Sequence, residues 1–438
     1  MMGAVLAMGY ALLFLLLARV HPFFRAPGSR VVSLAFLLKL LAGTGLWYIY
    51  TYVHTDRATA DIYRYFDDGN ILFGALHEHP LDYLRMLTGI RNDEVRFDVN
   101  YYQVMHNWYR QYEGNLYNDA HTMIRFNAFV RLFSFGHYHV HTVFACAFSV
   151  TGLVALYRAF SPLLAGHGPG LVLALYLLPS VVFWASGVIK EALLLFGMGL
   201  FLLGAVRMAG GQWRSRAVLL TPFALVLLFF LKFYVLLSLV PALTAFVWCR
   251  RTGDRRPWMK FAFTGAGFLL LALNSSLVYP GFNVFEVLWV KQRDFIGMAE
   301  AAGAGSLVAV PRLDAQPLTF LRQAPNALYM TFLAPIVHGM HGALGLVSAA
   351  ENIMLLAALA LAWGWRRPWA QVDRTLLCFC ITYGLALALV IGWTTPVIGA
   401  LVRYRVPLLP FLVMAALCVA DPQRIPWPAW FRRLTDNT

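Results

Sequence analysis

Three short stretches carry groups whose type and spacing could do chemistry. The first runs from Asp56 to Asp68 and holds Asp61, Asp67 and Asp68 among aromatic residues, directly after a hydrophobic run. If it is helical, Asp61 and Asp68 lie seven apart on one face with Arg64 between them, while Asp67 points partly away. Such a face suits a general base or a metal ligand, with Arg64 tempering the charge, and a divalent cation is compatible with it. The second stretch, 179–191, ends in Ser186-Gly187-Val188-Ile189-Lys190-Glu191. Its proline, Trp184 and Ser186-Gly187 predict a broken helix whose free backbone groups and Lys190 face an anion, with Glu191 ionised beside it at membrane depth. The third, 399–407, places Arg403 and Arg405 two apart. A guanidinium pair matches a phosphate through bidentate, charge-assisted bonds. Each stretch also has a plainer account: solvated Asp–Arg pairs, a lysine snorkelling to headgroups, and arginines paired with lipid or with loop carboxylates.

The elements that must position these groups are membrane helices. The chain is 60% hydrophobic and 13% charged, with a mean hydropathy of +0.63, a composition that excludes an ordinary soluble domain. Apolar runs long enough to span a bilayer fall at 3–19, 31–53, 138–158, 169–185, 189–206, 217–231, 234–249, 261–279, 346–364, 375–393 and 404–420. The expectation is therefore a single all-α polytopic domain covering 1–438 with about eleven transmembrane helices. The first run lacks the charged leader and cleavage site of a signal peptide and is read as a retained span.

Alternate connections collect the positive charge, among them Arg19, Arg25, Arg30, Arg158, Arg207, Arg214, Arg216, Arg250, Arg251, Arg366, Arg367, Arg374, Arg432 and Arg433. Positive charge on short loops marks the cytoplasmic side. That rule puts the N-terminus outside, the C-terminus inside, and the turns at Lys190 and Lys232 outside with both long loops, 54–137 and 280–324. Segments 81–87, 121–135 and 284–300 read as amphipathic interfacial helices, and 301–317, rich in small residues and proline, as a mobile connection. The net charge of +14 sits in short clusters that set topology, so no nucleic-acid partner is expected. The five cysteines all lie in or beside apolar runs, which argues against disulfide and zinc frameworks. His137, His139 and His141 alternate and would scatter around a helix; His338 and His341 lack a carboxylate companion; Lys39 lies inside a span and should meet an internal partner. No Walker loop, dinucleotide fingerprint or Gly-x-Ser-x-Gly elbow is present.

With these residues in hand, the chain resembles the multi-span glycosyltransferases of the GT-C type and related bacterial envelope proteins. The resemblance rests on Asp61 to Asp68 in the first external loop, Phe-Trp-Ala-Ser-Gly-x-x-Lys-Glu at 183–191, the stretch 320–335, and Arg-Tyr-Arg-Val-Pro at 403–407. It implies an inner-membrane enzyme that uses a polyprenyl-phosphate sugar on the external face, with an envelope glycan, lipid or protein as acceptor. It also implies an acidic first-loop residue as base or metal ligand, by position Asp61, with Asp67 and Asp68 as competitors. The loop reads Ala60-Asp61-Ile62, without the adjacent acidic pair many members carry. Transfer needs a base, stabilisation of an oxocarbenium-like centre and cations for the departing phosphate. Asp61 or Asp68 fits the first role. Tyr63, Tyr65 and Trp184 suit packing against sugar or prenyl, and Lys190, Arg403 and Arg405 suit the phosphate. A transporter or flippase of lipid-linked glycans, or a non-catalytic component of a polysaccharide assembly complex, would use the same surfaces differently.

Overall fold

The computed structural model describes residues 1–109, 117–253, 255–338 and 342–435. The chain is an all-α polytopic membrane protein: seven helices are long and apolar enough to cross a bilayer, and the bent pair Ile398–Tyr404 and Leu409–Val419, at 58°, adds an eighth if taken as one span. Among the described residues β pairing is limited to two isolated bridges, Leu307 with Val397 and Arg366 with Ala420. Leucines and phenylalanines such as Leu12, Leu16, Phe263, Leu270 and Leu361 stay exposed along these helices, the surface expected of a lipid-facing wall.

The full-length helices are Met2–Val20, Ser29–Val53, Tyr138–Leu163, Lys190–Ala209, Thr221–Thr252, Gly342–Gly364 and Arg374–Thr394. The central contact is between the third and fourth. Gly152 and Gly199 face each other so closely that a Cβ on Gly199 would lie 2.0 Å from the Gly152 carbonyl oxygen. Small residues at such a crossing let backbones approach and replace the hydrophobic effect, which is lost in lipid, by van der Waals contact.

Four expected spans take other forms. The run at 169–185 becomes Gly168–Val172, a π-turn Leu173–Leu177, an extended Leu178 and the short helix Pro179–Trp184, an interruption the run itself does not announce; the break expected within 179–191 falls at 185–189, between that short helix and Lys190–Ala209. The runs 217–231 and 234–249 join at Lys232, whose φ of −151° and ψ of 80° interrupt Thr221–Thr252. The chain reverses there. Thr221 packs on Gly204, Lys232 reaches Glu191, and Arg251 returns to the Met208 carbonyl at 2.6 Å, so both arms run alongside Lys190–Ala209 in opposite directions. The run at 261–279 yields Pro257–Leu273, 17 residues long.

The bundle has two chemically distinct ends. At one, Arg158 bonds the Phe23 carbonyl at 3.1 Å, Arg250 pairs with Asp373, His167 bonds Ala420 and Arg367 bonds Cys418. These are the basic connections. The opposite end carries the loop helices. Asp61–Glu78, Pro80–Thr88, Val95–Asn100 and Ala120–Ser134 share a core of their own, with Tyr65, Leu72, Tyr83, Met86, Phe97, Tyr102, Trp108 and Ile124 buried. Tyr102, Trp108 and His121 stack in sequence, with centroids 4.0 and 3.9 Å apart. The first long loop is thus a packed helical cap, and its aromatic content explains why.

The second long loop is tethered as well. Val284–Ala301 forms where an amphipathic helix is expected. The connection after it is tied to the start of Ile398–Tyr404 by Val308 N–H to the Pro396 carbonyl at 2.9 Å and Ile398 N–H to the Ser306 carbonyl at 3.0 Å. Pro317–Phe332 then runs down Arg374–Thr394, with Phe320 on Trp393 and Thr331 bonding the Ala388 carbonyl. No span is expected there because Arg322, Gln323 and Asn326 interrupt the apolar run.

Candidate functional site

The site lies at the loop-bearing end, where four chain segments bring charges together. Ile189, extended at φ −135° and ψ 163°, delivers Lys190 and Glu191 into the first turn of Lys190–Ala209. A carboxylate there sits against the unpaired amides and positive dipole end of the helix. The Lys232 reversal points its ammonium back at this turn, 2.6 Å from the fully buried Glu191. Ile398–Tyr404 ends with Arg403 in its last turn. Asp61 opens the helix Asp61–Glu78.

Arg403 joins these pieces. Its Nη1 lies 2.8 Å from Asp61 and its Nε 2.9 Å from Glu191. The result is a chain of alternating charge: Asp61, Arg403, Glu191, Lys232. Beside it Lys190 pairs with Asp119 at 2.9 Å and sits over the Tyr65 ring at 5.4 Å. Lys232 lies 4.3 Å over Tyr404 and Lys291 4.2 Å over Tyr234, so a helix of the second loop also borders the cluster. Among the described residues three carboxylates therefore face four cations. The Asp61 side chain keeps 35% exposure while Glu191 keeps none. An incoming group reaches Asp61 first.

The other expected site residues divide between neighbours and outsiders. Tyr65 is buried at the cluster, and burial pushes its phenol up. Tyr63 and Trp184 belong to the apolar wall of Leu46, Ala60, Ile62 and Ile189 next to Asp61, and the Tyr63 hydroxyl bonds Thr51 at 2.5 Å. Asp67 is turned away and pairs with Arg57 at 2.6 Å. Arg64 donates to the His106 carbonyl at 2.7 Å. Asp68 is buried and accepts the backbone N–H groups of His106 and Asn107, both at 2.8 Å. Burial raises its carboxyl above the ordinary carboxylate value despite those two amides. The expected common face of Asp61 and Asp68 does not make a common site, because seven residues separate them by about 10 Å along the axis.

Arg405 leaves the cluster altogether. It is buried, bonds the Asn352 amide oxygen and the Thr331 carbonyl, and lies 3.6 Å from Glu351. The expected guanidinium pair at one phosphate is therefore split: two positions on a helix differ by about 200° in direction, and Arg403 and Arg405 face different partners. His141 bonds Asn127 and Ser134, both at 2.8 Å, and His338 lies 3.4 Å from Tyr329; His341 falls outside the described residues. Among the described residues no group of three or more His, Cys, Asp or Glu side chains is placed to hold a metal ion.

Asp119, Lys232, Tyr234, Tyr404 and Lys291 join the cluster without having been expected as site residues. Only Lys232 carries a visible signal, a lysine between two apolar runs. An apolar groove of about 250 Å³, lined by Phe332, Trp363, Leu377, Leu412 and Val419, lies elsewhere on the bundle and holds none of this charge. No protein-family model, curated protein or solved structure matches the chain.

Proposed function

We propose that this chain is a membrane glycosyltransferase of the bacterial inner membrane. It moves a sugar from a polyprenyl-phosphate donor to an envelope glycan, lipid or protein on the external face. The observation that carries the reading is the partly exposed Asp61 carboxylate 2.8 Å from Arg403, at the edge of a cluster that also holds Lys190 and Lys232. In this scheme the donor phosphate takes the Arg403 Nη1 edge from Asp61. The freed carboxylate accepts the proton of the acceptor hydroxyl as that oxygen forms a bond to the anomeric carbon. The bond from that carbon to the phosphate oxygen breaks, and the polyprenyl phosphate leaves as an anion stabilised by Arg403, Lys190 and Lys232. Tyr63 and Trp184, in the wall beside Asp61, offer surfaces for sugar or prenyl.

Eleven crossings complete the proposal, counting each arm of the Lys232 reversal, with the N-terminus outside and the C-terminus in the cytoplasm. The segregation of Arg158, Arg250 and Arg367 at the end opposite Asp61 supports that sidedness through the charge rule. Purified protein given polyprenyl-phosphate sugars and envelope acceptors should release polyprenyl phosphate, and Asp61→Asn should abolish release while still binding the lipid. Lipid binding with no release by the wild type would sink the enzyme reading.

A flippase is favoured by one feature, the interrupted helix at 178–190, since broken helices at membrane depth recur in transporters. Asp61→Asn separates the two, because translocation needs no proton acceptor.

A further inference from the structure

Lys39 is buried in the second span, and among the described residues no carboxylate pairs with it. Its amine instead meets three oxygens: the Val181 carbonyl at 2.8 Å, the Ala185 carbonyl at 3.1 Å and the Ser186 hydroxyl at 3.5 Å. Three acceptors match the three donors of an ammonium. Two of them are carbonyls in and just after the short helix Pro179–Trp184, left without helical partners where it stops. In a membrane such groups need an internal partner.

The same turn is gripped from two further directions. The Cys146 thiol donates to the Ser186 carbonyl at 3.1 Å. Gly43, one turn along from Lys39, lets the Ser186 carbonyl approach so closely that a Cβ would lie 2.2 Å from it. At the other end of the short helix, Glu351 accepts the Ser180 N–H at 2.8 Å and bonds its hydroxyl. A carboxylate thus meets the start of the helix, the sign the peptide dipoles favour there, and the Lys39 amine donates to the carbonyls at its end. Four residues after Ser186 the chain delivers Lys190, then Glu191.

We propose that Lys39 is a positioning residue: by clamping the 185–187 turn it fixes where Lys190 and Glu191 enter the charged cluster. It touches no reacting group. Its predicted effect on turnover rests on the glycosyltransferase reading, whereas the clamp itself does not.

The test is hydrogen exchange on the full-length protein in lipid nanodiscs, alongside polyprenyl phosphate release. In Lys39→Met, amides of 185–191 should exchange at least tenfold faster while 138–160 and 374–394 keep wild-type rates. Donor turnover should fall at least tenfold in kcat with a smaller change in KM. Lys39→Gln keeps two donors and should recover part of both effects; it also serves if Lys39→Met does not fold. Unchanged exchange at 185–191, or acceleration spread over the whole bundle, would overturn the clamp. A wild type without turnover would sink the enzyme reading and leave the exchange result to decide on Lys39.

Discussion

The Arg403 guanidinium meets the Asp61 carboxylate at 2.8 Å although 342 residues separate them in the chain. The same guanidinium holds the buried Glu191 through Nε, so one side chain serves an exposed acid and a buried one. The two contacts differ in kind. Asp61 is wet enough to be exchanged for another anion. Glu191 anchors the arginine in place.

That difference predicts opposite phenotypes for the two acids. Asp61→Asn removes a partly exposed partner, so thermal stability should move by no more than about 1 kcal/mol, while turnover should fall roughly 100-fold or more for loss of a proton acceptor. Glu191→Gln leaves Lys232 and Arg403 buried without their common acid, a loss on the order of 3–5 kcal/mol. Thermal unfolding in detergent and a turnover assay, run on both variants, read the contrast. Equal destabilisation by both would remove the distinction between exchangeable and anchoring acid.

A double-mutant cycle on Glu191 and Lys232 extends the test. Replacing both with apolar residues of similar size, Glu191→Leu with Lys232→Met, should recover part of the stability lost in either single variant, because a desolvated pair is costly to break and cheaper to replace whole. Additive losses would mean the two side chains do not share one ion pair. Turnover should stay low in the double variant, since one of the three proposed phosphate cations is gone and Arg403 has lost its anchoring acid.

Asp68 tests which first-loop carboxylate is the base. Its oxygens hold the His106 and Asn107 amides, so Asp68→Ala should expose 101–109 to limited proteolysis and cost about 1–3 kcal/mol for the orphaned amides. Turnover at saturating substrate should drop far less than in Asp61→Asn. The reverse order would transfer the role of base to Asp68.

Much of the frame was written in residue order. The apolar runs gave Met2–Val20, Gly342–Gly364 and Arg374–Thr394 nearly to their ends, and Pro179 with Ser186-Gly187 marked the interrupted helix. Lys232 between two leucine-rich runs announced the reversal. Pro317–Phe332 stayed hidden because Arg322, Gln323 and Asn326 give it a polar face, which a run-length criterion reads as loop. Within the site, Lys190 and Arg403 were legible as charges that break the apolar pattern. Their partners were not: Asp119 and Tyr404 look like any loop acid or interfacial tyrosine until the fold sets them beside Lys190 and Lys232. The pairing of Arg403 with Arg405 failed for a geometric reason, since neighbours two apart on a helix point to nearly opposite sides.

The crossing of the third and fourth spans offers a prediction that does not depend on function. Gly152 would set a Cβ 2.2 Å from the Leu195 carbonyl oxygen, and Gly199 would set one 2.0 Å from that of Gly152. Backbone on both sides leaves no flexible side chain to yield, so the helices must separate. Gly199→Ala should then cost about 1–3 kcal/mol through overpacking, and Gly199→Leu more. The separation also shifts the helix that begins with Lys190 and Glu191, so turnover should fall along with the unfolding midpoint. Gly265, with nothing within 4 Å of its would-be Cβ, is the control; alanine there should leave both readouts unchanged. A Gly199→Ala variant as stable as the Gly265→Ala control would mean that the two helices do not cross at backbone contact.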